Sequence, residues 1–520
     1  MKSIKMRGIC AAVTGALLFG FGANAMADST TDIVNALVAK GVLADNEAEL
    51  ILKGSKEQKE AEVKAAKHKE FDFINSDAPF KYETKLAGHD ADIQVYGVID
   101  IGGAHANHSL PANNELPNNL YPYSGAKTGT TSQTAWINGG LQDSRIGLKG
   151  GVSLFEAMDN KFKFIYQFEA GFNPLDMKLN NAAKTLAQNS GTGANSTLSA
   201  DSSLNGEFFA RQAWVGIDGG KLGKVSYGTQ YNPFYDIAGA YDPNGKADTF
   251  SPLGESGTVG GGGGVSENSR MKNSLKYANT FDAPMEGKVN IAGMYEFGNA
   301  SGNVDHGYGV TGQVGYENAT FGVQFAYDKF TDALKAGTAS TVVPVPALGT
   351  ISAGLYNTDA TMLAAKWTPT EDIKVSGGWE WYKLKPSSDA TLGYGSLFNE
   401  SVYGGVVTSA LTAGQSQDNN VYWIGANYDF AKRVPMLAGL SASLGYYATK
   451  FDAKQVPTGA APSTNTQGDI DTWTFIADYK LNKRFDTYFA YTTNHFSGDK
   501  YSSGYYTNVD TVGAGVRMKF

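Results

Sequence analysis

The chain reads as an all-β protein, a 16-stranded antiparallel β-barrel that crosses a membrane, with a short α-helical segment ahead of it. Three observations lead there. From Ala91 onward apolar and polar residues alternate with a period of two, in about sixteen segments of 9 to 15 residues, the first near Asp92 and the last near Thr507. The connections alternate between short and long: Asp218–Gly223, Glu317–Ala319, Pro369–Asp372 and Leu481–Lys483 against Ala106–Gln133, Asn173–Asn205, Asn232–Asn268, Ala333–Leu355 and Pro386–Asp418. Finally, the two faces of individual segments differ in chemistry. In KFKFIYQF, Phe162, Phe164, Tyr166 and Phe168 share one face, and Lys161, Lys163 and Gln167 the other. In the last segment Val512, Ala514, Val516, Met518 and Phe520 oppose Arg517 and Lys519. A packed core does not hold that many charges without partners, whereas a hydrated lumen inside lipid does. Closure also removes the unpaired strand edges that hydrocarbon does not tolerate.

Composition agrees. Among 520 residues there are 63 glycines, 28 tyrosines and 27 phenylalanines against 16 prolines and one cysteine. That balance suits a large antiparallel sheet with many turns. A mean hydropathy of −0.28 excludes a bundle of apolar helices. Residues 1–27 read as a secretory signal: Lys2, Lys5 and Arg7, an apolar core from Ile9 to Phe21, and Ala25-Met26-Ala27 before Asp28. Removing it changes the net charge from −8 to about −11 and takes away Cys10, leaving neither disulfide nor thiol site. So acidic a chain is not a nucleic-acid binder.

Residues 28–90 form a separate region, expected as a helical, charged periplasmic extension. Ile33, Val34, Leu37 and Val38, then Val42, Leu43, Leu50 and Ile51, have helical spacing around Gly41, with Thr31 or Asp32 and then Asp45 as caps. SKEQKEAEVKAAKHKEF follows, a solvated Ala/Glu/Lys run that a periplasmic or cell-wall partner would also suit. Residues 91–520 are the barrel. Trp367, Trp379, Trp381, Tyr446 and Tyr447 are placed for aromatic girdles at the membrane surfaces.

The candidate site lies between Phe208 and Tyr277. Arg270, Lys272 and Lys276 have one parity and are expected on one face. The preceding glycine-rich loop carries Asp236, Asp242, Asp248, Glu255 and Glu267. A basic strand face beside an acidic loop frames a polar passage, and charges at a constriction select ions by sign. Other constellations are weaker. Gly307, Gly309 and Gly312 spell GxGxxG, but within a strand and with no helix to hold a phosphate. Gly260 to Gly264 lacks the Lys-Ser/Thr of a phosphate loop. His105 and His108 with Asn107 and Glu115, His495 with Ser497, and the acids Glu169 and Glu207 read as solvated loop or lumen groups before they read as metal or catalytic sites. No cofactor, metal or catalytic residue is expected.

VYGVIDIG (Val95 to Gly102), SRIGLKG (Ser144 to Gly150), FFARQAWVGI (Phe208 to Ile217), YGTQYNPFYD (Tyr227 to Asp236), NSLKY (Asn273 to Tyr277) and the terminal Phe520 together resemble the general bacterial porins, over about residues 91 to 520. The resemblance implies an outer-membrane diffusion channel of a Gram-negative bacterium, passing ions and small hydrophilic solutes passively. It also implies a homotrimer joined through the first and last strands, a third loop folded into the lumen, and insertion by machinery that reads the final Phe. It places Arg145 and Arg211 at the constriction, and Lys149 shares the parity of Arg145. The alternative is a barrel that anchors an envelope-tethering extension. The extension ahead of the barrel and the five-glycine run in the third loop depart from the family pattern.

Overall fold

The computed structural model describes residues 73–74, 76–109, 127, 131–175, 177–179, 208–209, 211–256, 270–297, 308–331, 335–336, 353–354, 357–385, 416–453 and 467–520, together with 38, 40, 44, 46–48 and 53. The chain divides into Met1–Asp72 and Phe73–Phe520. Of the first unit, Val38, Lys53 and the turn Asn46 to Ala48 are helical. The backbone of Glu47 and Ala48 donates to the Ala44 carbonyl there. The charged run 55–71 and the caps expected at Thr31, Asp32 and Asp45 lie outside the described residues.

The second unit is a closed sheet. Its strands are β1 (His89–Ser109), β2 (Thr131–Asn138 and, after a break, Arg145–Ala157), β3 (Asn160–Asn173), β4 (Gln212–Asp218) and β5 (Lys224–Tyr231). Then come β6 (Arg270–Ala283), β7 (Gly287–Glu296), β8 (Gly309–Glu317), β9 (Phe321–Phe330) and β10 (Asn357–Thr370). The last six are β11 (Ile373–Lys385), β12 (Gln417–Asp429), β13 (Leu440–Phe451), β14 (Gly468–Lys480), β15 (Phe485–Ser497) and β16 (Asn508–Lys519). Every neighbour pair is antiparallel, and β16 returns to β1 in the register Val98↔Lys519 to Ala106↔Thr511. With the halves of β2 counted once, sixteen strands close the barrel. Closure satisfies the backbone of every interior strand without water, which a bilayer requires.

Two features depart from a plain sixteen-fold pattern. β2 breaks at Gly139 to Ser144, where Gly139 takes a positive φ of 81°. Asp100 of β1 holds the break: its carboxylate accepts from the backbone N–H of Leu141 and of Gln142, both at 2.9 Å, and from the Tyr488 hydroxyl at 2.7 Å. Three charge-assisted bonds make up for two lost rungs of ladder. The other departure is at the amino-terminal end. Residues 81–90, included by sequence in the helical extension, form a hairpin: Lys81–Leu86 pairs with His89–Gln94 around Ala87-Gly88. Both turn residues have positive φ, as a tight two-residue hairpin demands.

The two barrel faces follow the alternation. In β9, Val323, Phe325 and Tyr327 are exposed, while Gly322, Gln324, Ala326, Asp328 and Phe330 are buried. In β16, Val512 and Val516 are exposed and Arg517 is buried. The exposed apolar set faces lipid. Among the girdle aromatics, Trp367 is on that outer face, and the indoles of Trp379 and Trp381 donate to Asn420 and Asp418 of the next strand. Tyr447 is not in a girdle: it follows Tyr446 directly and so points inward, where it is fully buried.

The third loop is what Tyr447 meets. It leaves β5 as α1 (Pro233–Tyr241), capped by the Asn232 side chain accepting from Tyr235 N–H, with proline at the first helical position. Phe234, Ile237 and Tyr241 are buried on one helix face and pack on the inner wall, where Ala326, Ala360 and Ala364 leave room for them. The loop then runs on along β12 to β15. Trp423 Nε1 donates to the Tyr241 carbonyl at 3.2 Å, Asn244 Nδ2 donates to the Tyr447 hydroxyl at 2.9 Å, and Thr474 and Thr492 donate to the Phe250 carbonyl. Thr249 N–H reaches the Gly140 carbonyl in the β2 break, so the loop spans from the β9–β15 wall to that break.

Candidate functional site: the luminal constriction

With α1 held against one wall, the basic residues named from sequence face it from β2 to β6. Arg211, immediately before β4, is the centre of a dense network. Its Nε donates to Glu169 Oε1 at 2.9 Å, Nη1 to Asp143 Oδ2 at 2.6 Å, and Nη2 to the Tyr231 hydroxyl at 2.7 Å. The residue is 4% exposed. Glu169 accepts in addition from the hydroxyls of Tyr96 at 2.9 Å and Tyr231 at 3.0 Å. Arg145 Nε lies 3.7 Å from the same carboxylate, and its Nη1 donates to the Asp143 carbonyl. Arg145 and Arg211 are therefore side by side, as the sequence expects, but both are already met by acids.

Lys149, two rungs further along β2, is exposed, with its ammonium 5.1 Å from the centre of the Tyr96 ring. On β6 the strand is not uniform. A bulge shifts the β5–β6 register between Gly228 and Gln230, with Asn273 at a φ of 49°. Parity consequently does not carry from Arg270 and Lys272 to Lys276. Arg270 lies over the Tyr231 ring, 5.7 Å from its centre. Lys272 is 7% exposed and donates its backbone N–H to Glu296. Lys276 points to the loop: its Nζ donates to the Tyr231 carbonyl at 2.8 Å and lies 3.4 Å from Asp236.

The loop acids separate in the same way. Asp236, in the first turn of α1, is half exposed and faces Lys276. Asp242 is fully buried. It accepts from Ser251 Oγ and Lys246 N–H at 2.7 Å each, from Asn244 N–H, and from the Tyr447 hydroxyl. That carboxylate shapes and anchors the loop and does not line the passage. Asp248 is partly exposed beside Gly139 in the β2 break. Glu255 belongs to α2 (Pro252–Ser256); its side chain, and with it Glu267 and Gly260 to Gly264, lies outside the described residues.

Sequence reasoning missed Asp143, Tyr231, Tyr235 and Lys246, and passed over Glu169 as an ordinary lumen acid. Tyr231 and Tyr235 stack with ring centres 3.9 Å apart. Lys246 covers the Tyr235 ring, and Arg211 reaches the Tyr235 hydroxyl at 3.5 Å. Asp143 has the parity of Arg145, a signal that was available. The bonds of Arg211 to Tyr231 and Tyr235 join residues 20 and 24 positions apart, which no local pattern displays. Of the weaker constellations, Gly309 and Gly312 are in β8, while Gly307, Glu115 and Glu207 lie outside the described residues. His105 bonds with Thr134 and His108 stacks on Tyr506. His495 bonds with Asn508.

An antiparallel sixteen-stranded barrel, apolar outside and charged within, with one loop folded against its inner wall, defines a transmembrane channel protein. Residues 85–499 match the Gram-negative porin family, and the chain belongs to that family. It is 23% identical over 415 residues to an outer membrane porin protein of Bordetella pertussis, an alignment covering 71% of this chain and 93% of the relative. Solved structures similar to it include the anion-selective porin from Comamonas acidovorans (16% identity, TM-score 0.49, 83% of this chain and 100% of that one). The outer membrane channel DcaP of Acinetobacter baumannii is another (12% identity, TM-score 0.46, 84% and 99%). The protein is an outer-membrane channel.

Proposed function

We propose that the channel is water-filled and passes small hydrophilic solutes and ions by diffusion, with a modest preference for anions set at the passage between α1 and the β2–β6 wall. One observation supports this reading above others: among the described residues of the constriction, Glu169, Asp143 and Asp236 are all paired while some of the bases are not. Glu169 and Asp143 are taken by Arg211 and Arg145, and Asp236 faces Lys276. Among the described residues, the buried Arg270 Nε and Lys246 Nζ meet no hydrogen-bond acceptor. Charges that are internally neutralised contribute little to the field an ion meets, whereas uncompensated ones set its sign. The overall acidic charge lies mostly beyond the screening length of about 8–10 Å and weighs less. We read the assembly as a homotrimer formed after loss of residues 1–27, with residues 28–72 in the periplasm.

Bilayer recording in a salt gradient tests the reading. Stepwise ohmic conductance with a reversal potential on the anion side is expected. A silent membrane from folded protein would overturn the channel, and a cation-side potential would overturn its selectivity.

A further inference from the structure

A second cavity, of about 330 Å³, opens at the short-turn end of the barrel, away from the constriction. It is lined by Lys480, Lys483, Arg484, Lys519, Asp486, Asn482 and the arm residues Ser76 and Asp77. Lys480 and Asp486 are cross-strand partners, and Asp486 is in turn paired with Arg517. Asp486 and Arg517 are buried on the inner face, and the exposed Lys480 has the parity of that face, opposite the exposed Tyr479 and Phe489, so the cavity belongs to the lumen mouth and not to the lipid surface.

Its charge is lopsided. Asp77 receives Lys483 at 2.9 Å, and Asp486 receives Lys519 at 3.0 Å besides both ends of the Arg517 guanidinium. The hydrogen bond and charge of Lys483 hold the Asp77 carboxyl below its ordinary range. Both acids are thus occupied, and two cationic groups are left over. Lys480 joins no ion pair among the described residues, whose ion pairs involve Lys483, Lys519 and Arg517 at this rim. Arg484 is 7% exposed. Its Nε donates to the Phe73 carbonyl at 2.9 Å and its plane lies over the Phe73 ring, but its Nη2 is buried without an acceptor among the described residues. A buried guanidinium N–H left unmade costs free energy that an incoming oxyanion recovers. The Asn482 side-chain Oδ1, which accepts from the Arg484 and Phe485 backbone N–H groups, fixes the turn that presents these cations.

We propose that this periplasmic vestibule is a binding site for a soluble phosphate-bearing solute, with Arg484 and Lys480 as its principal donors, reached after the constriction has been passed. The proposal rests on the channel reading only for the route by which the solute arrives; binding itself is independent of conductance. Titration calorimetry of the detergent-purified full-length protein with inorganic phosphate tests it. Saturable binding is expected in the wild type. Lys480→Gln weakens it by about fivefold, the effect of one point charge some 4 Å away in a wet site, and Arg484→Gln weakens it further. Lys288→Gln, at a different rim position, leaves it intact. Absence of saturable binding in the wild type overturns the proposal, as does equal weakening by Lys288→Gln and Lys480→Gln, or no weakening by Lys480→Gln. Because Arg484 also ties down Phe73, the Lys480→Gln result decides if Arg484→Gln fails to fold. A protein that conducts but does not bind phosphate sinks this inference alone; one that binds phosphate and does not conduct sinks the channel reading alone.

Discussion

The two walls of the lumen hold the third loop by different physics. On the β9–β15 wall, α1 and the segment after it are fixed by apolar packing of Phe234, Ile237 and Tyr241 and by neutral donors such as Trp423, Thr474 and Thr492. The acids here serve the same hold: Asp242 is satisfied by the loop itself and Tyr447, Asp328 of β9 accepts from the Asn232 side chain, and Glu317 accepts from the Tyr241 hydroxyl. On the β2–β6 wall almost every contact is charged. There Arg211 is paired with both Glu169 and Asp143 and Arg145 lies 3.7 Å from Glu169, while Arg270, Lys246 and Lys149 make no ion pair among the described residues. One wall places the loop, and on the proposed function the other gives the passage its sign. Within the second wall, basic residues that look alike in sequence divide into those paired with acids and those that make no such pair among the described residues.

Substitutions can break this comparison, and the largest effect belongs to Arg211. Replacing it with glutamine strands Glu169 and Asp143, and an uncompensated buried charge costs about 3–5 kcal/mol. Thermal unfolding in detergent, followed by circular dichroism, should show a clear loss; an unchanged midpoint would mean that the network is wet and weak. Next is Tyr447→Phe, which removes one partner of Asp242 and Asn244 and costs about 1–3 kcal/mol of loop anchoring. Single-channel traces should become noisier and their mean conductance larger, while a current identical to wild type would place the loop's hold elsewhere. Arg270→Gln is smaller still. Loss of one charge about 8 Å from the ion path in a watery pore is worth about 0.5 kcal/mol, roughly a twofold fall in anion-to-cation permeability ratio. The reversal potential reads it, and a shift toward anions would reverse the assignment. The smallest effect is that of salt: near 1 M the screening length falls to about 3 Å, and the difference between wild type and Arg270→Gln should fade. A difference that persists at high salt would point to a steric cause.

Much of the barrel was legible in the sequence because lipid on one side and water on the other force a period of two, and β16 displays it without exception from Val512 to Lys519. The short and long connections were legible for a similar reason, since strands crossing a bilayer must turn back at both surfaces. What local pattern does not carry is any event that breaks the period. The bulge at Asn273 interrupts the expected ladder of Arg270, Lys272 and Lys276. The split of β2 is held by Asp100, some forty residues earlier in the chain, and the sequence marks it with little more than Gly139-Gly140. Loop acids also look alike until they are folded: Asp236 remains at the passage, while Asp242 disappears into the loop's own hydrogen bonds. The ten expected constriction residues thus include exposed or half-exposed members, Lys149 and Asp236 among them, and members buried in structural bonds, Arg211 and Asp242 above all.

The most direct measurement sets two neutralisations side by side. Arg211→Gln with Glu169→Gln removes a cation and its acid together, and Arg270→Gln with Lys246→Gln removes two cations that make no ion pair among the described residues. Reversal potentials in the same dilute salt gradient should be close to wild type for the first pair and displaced toward cations for the second. A displacement by the first pair as large as that by the second would contradict the division of the wall into structural and ion-facing charge.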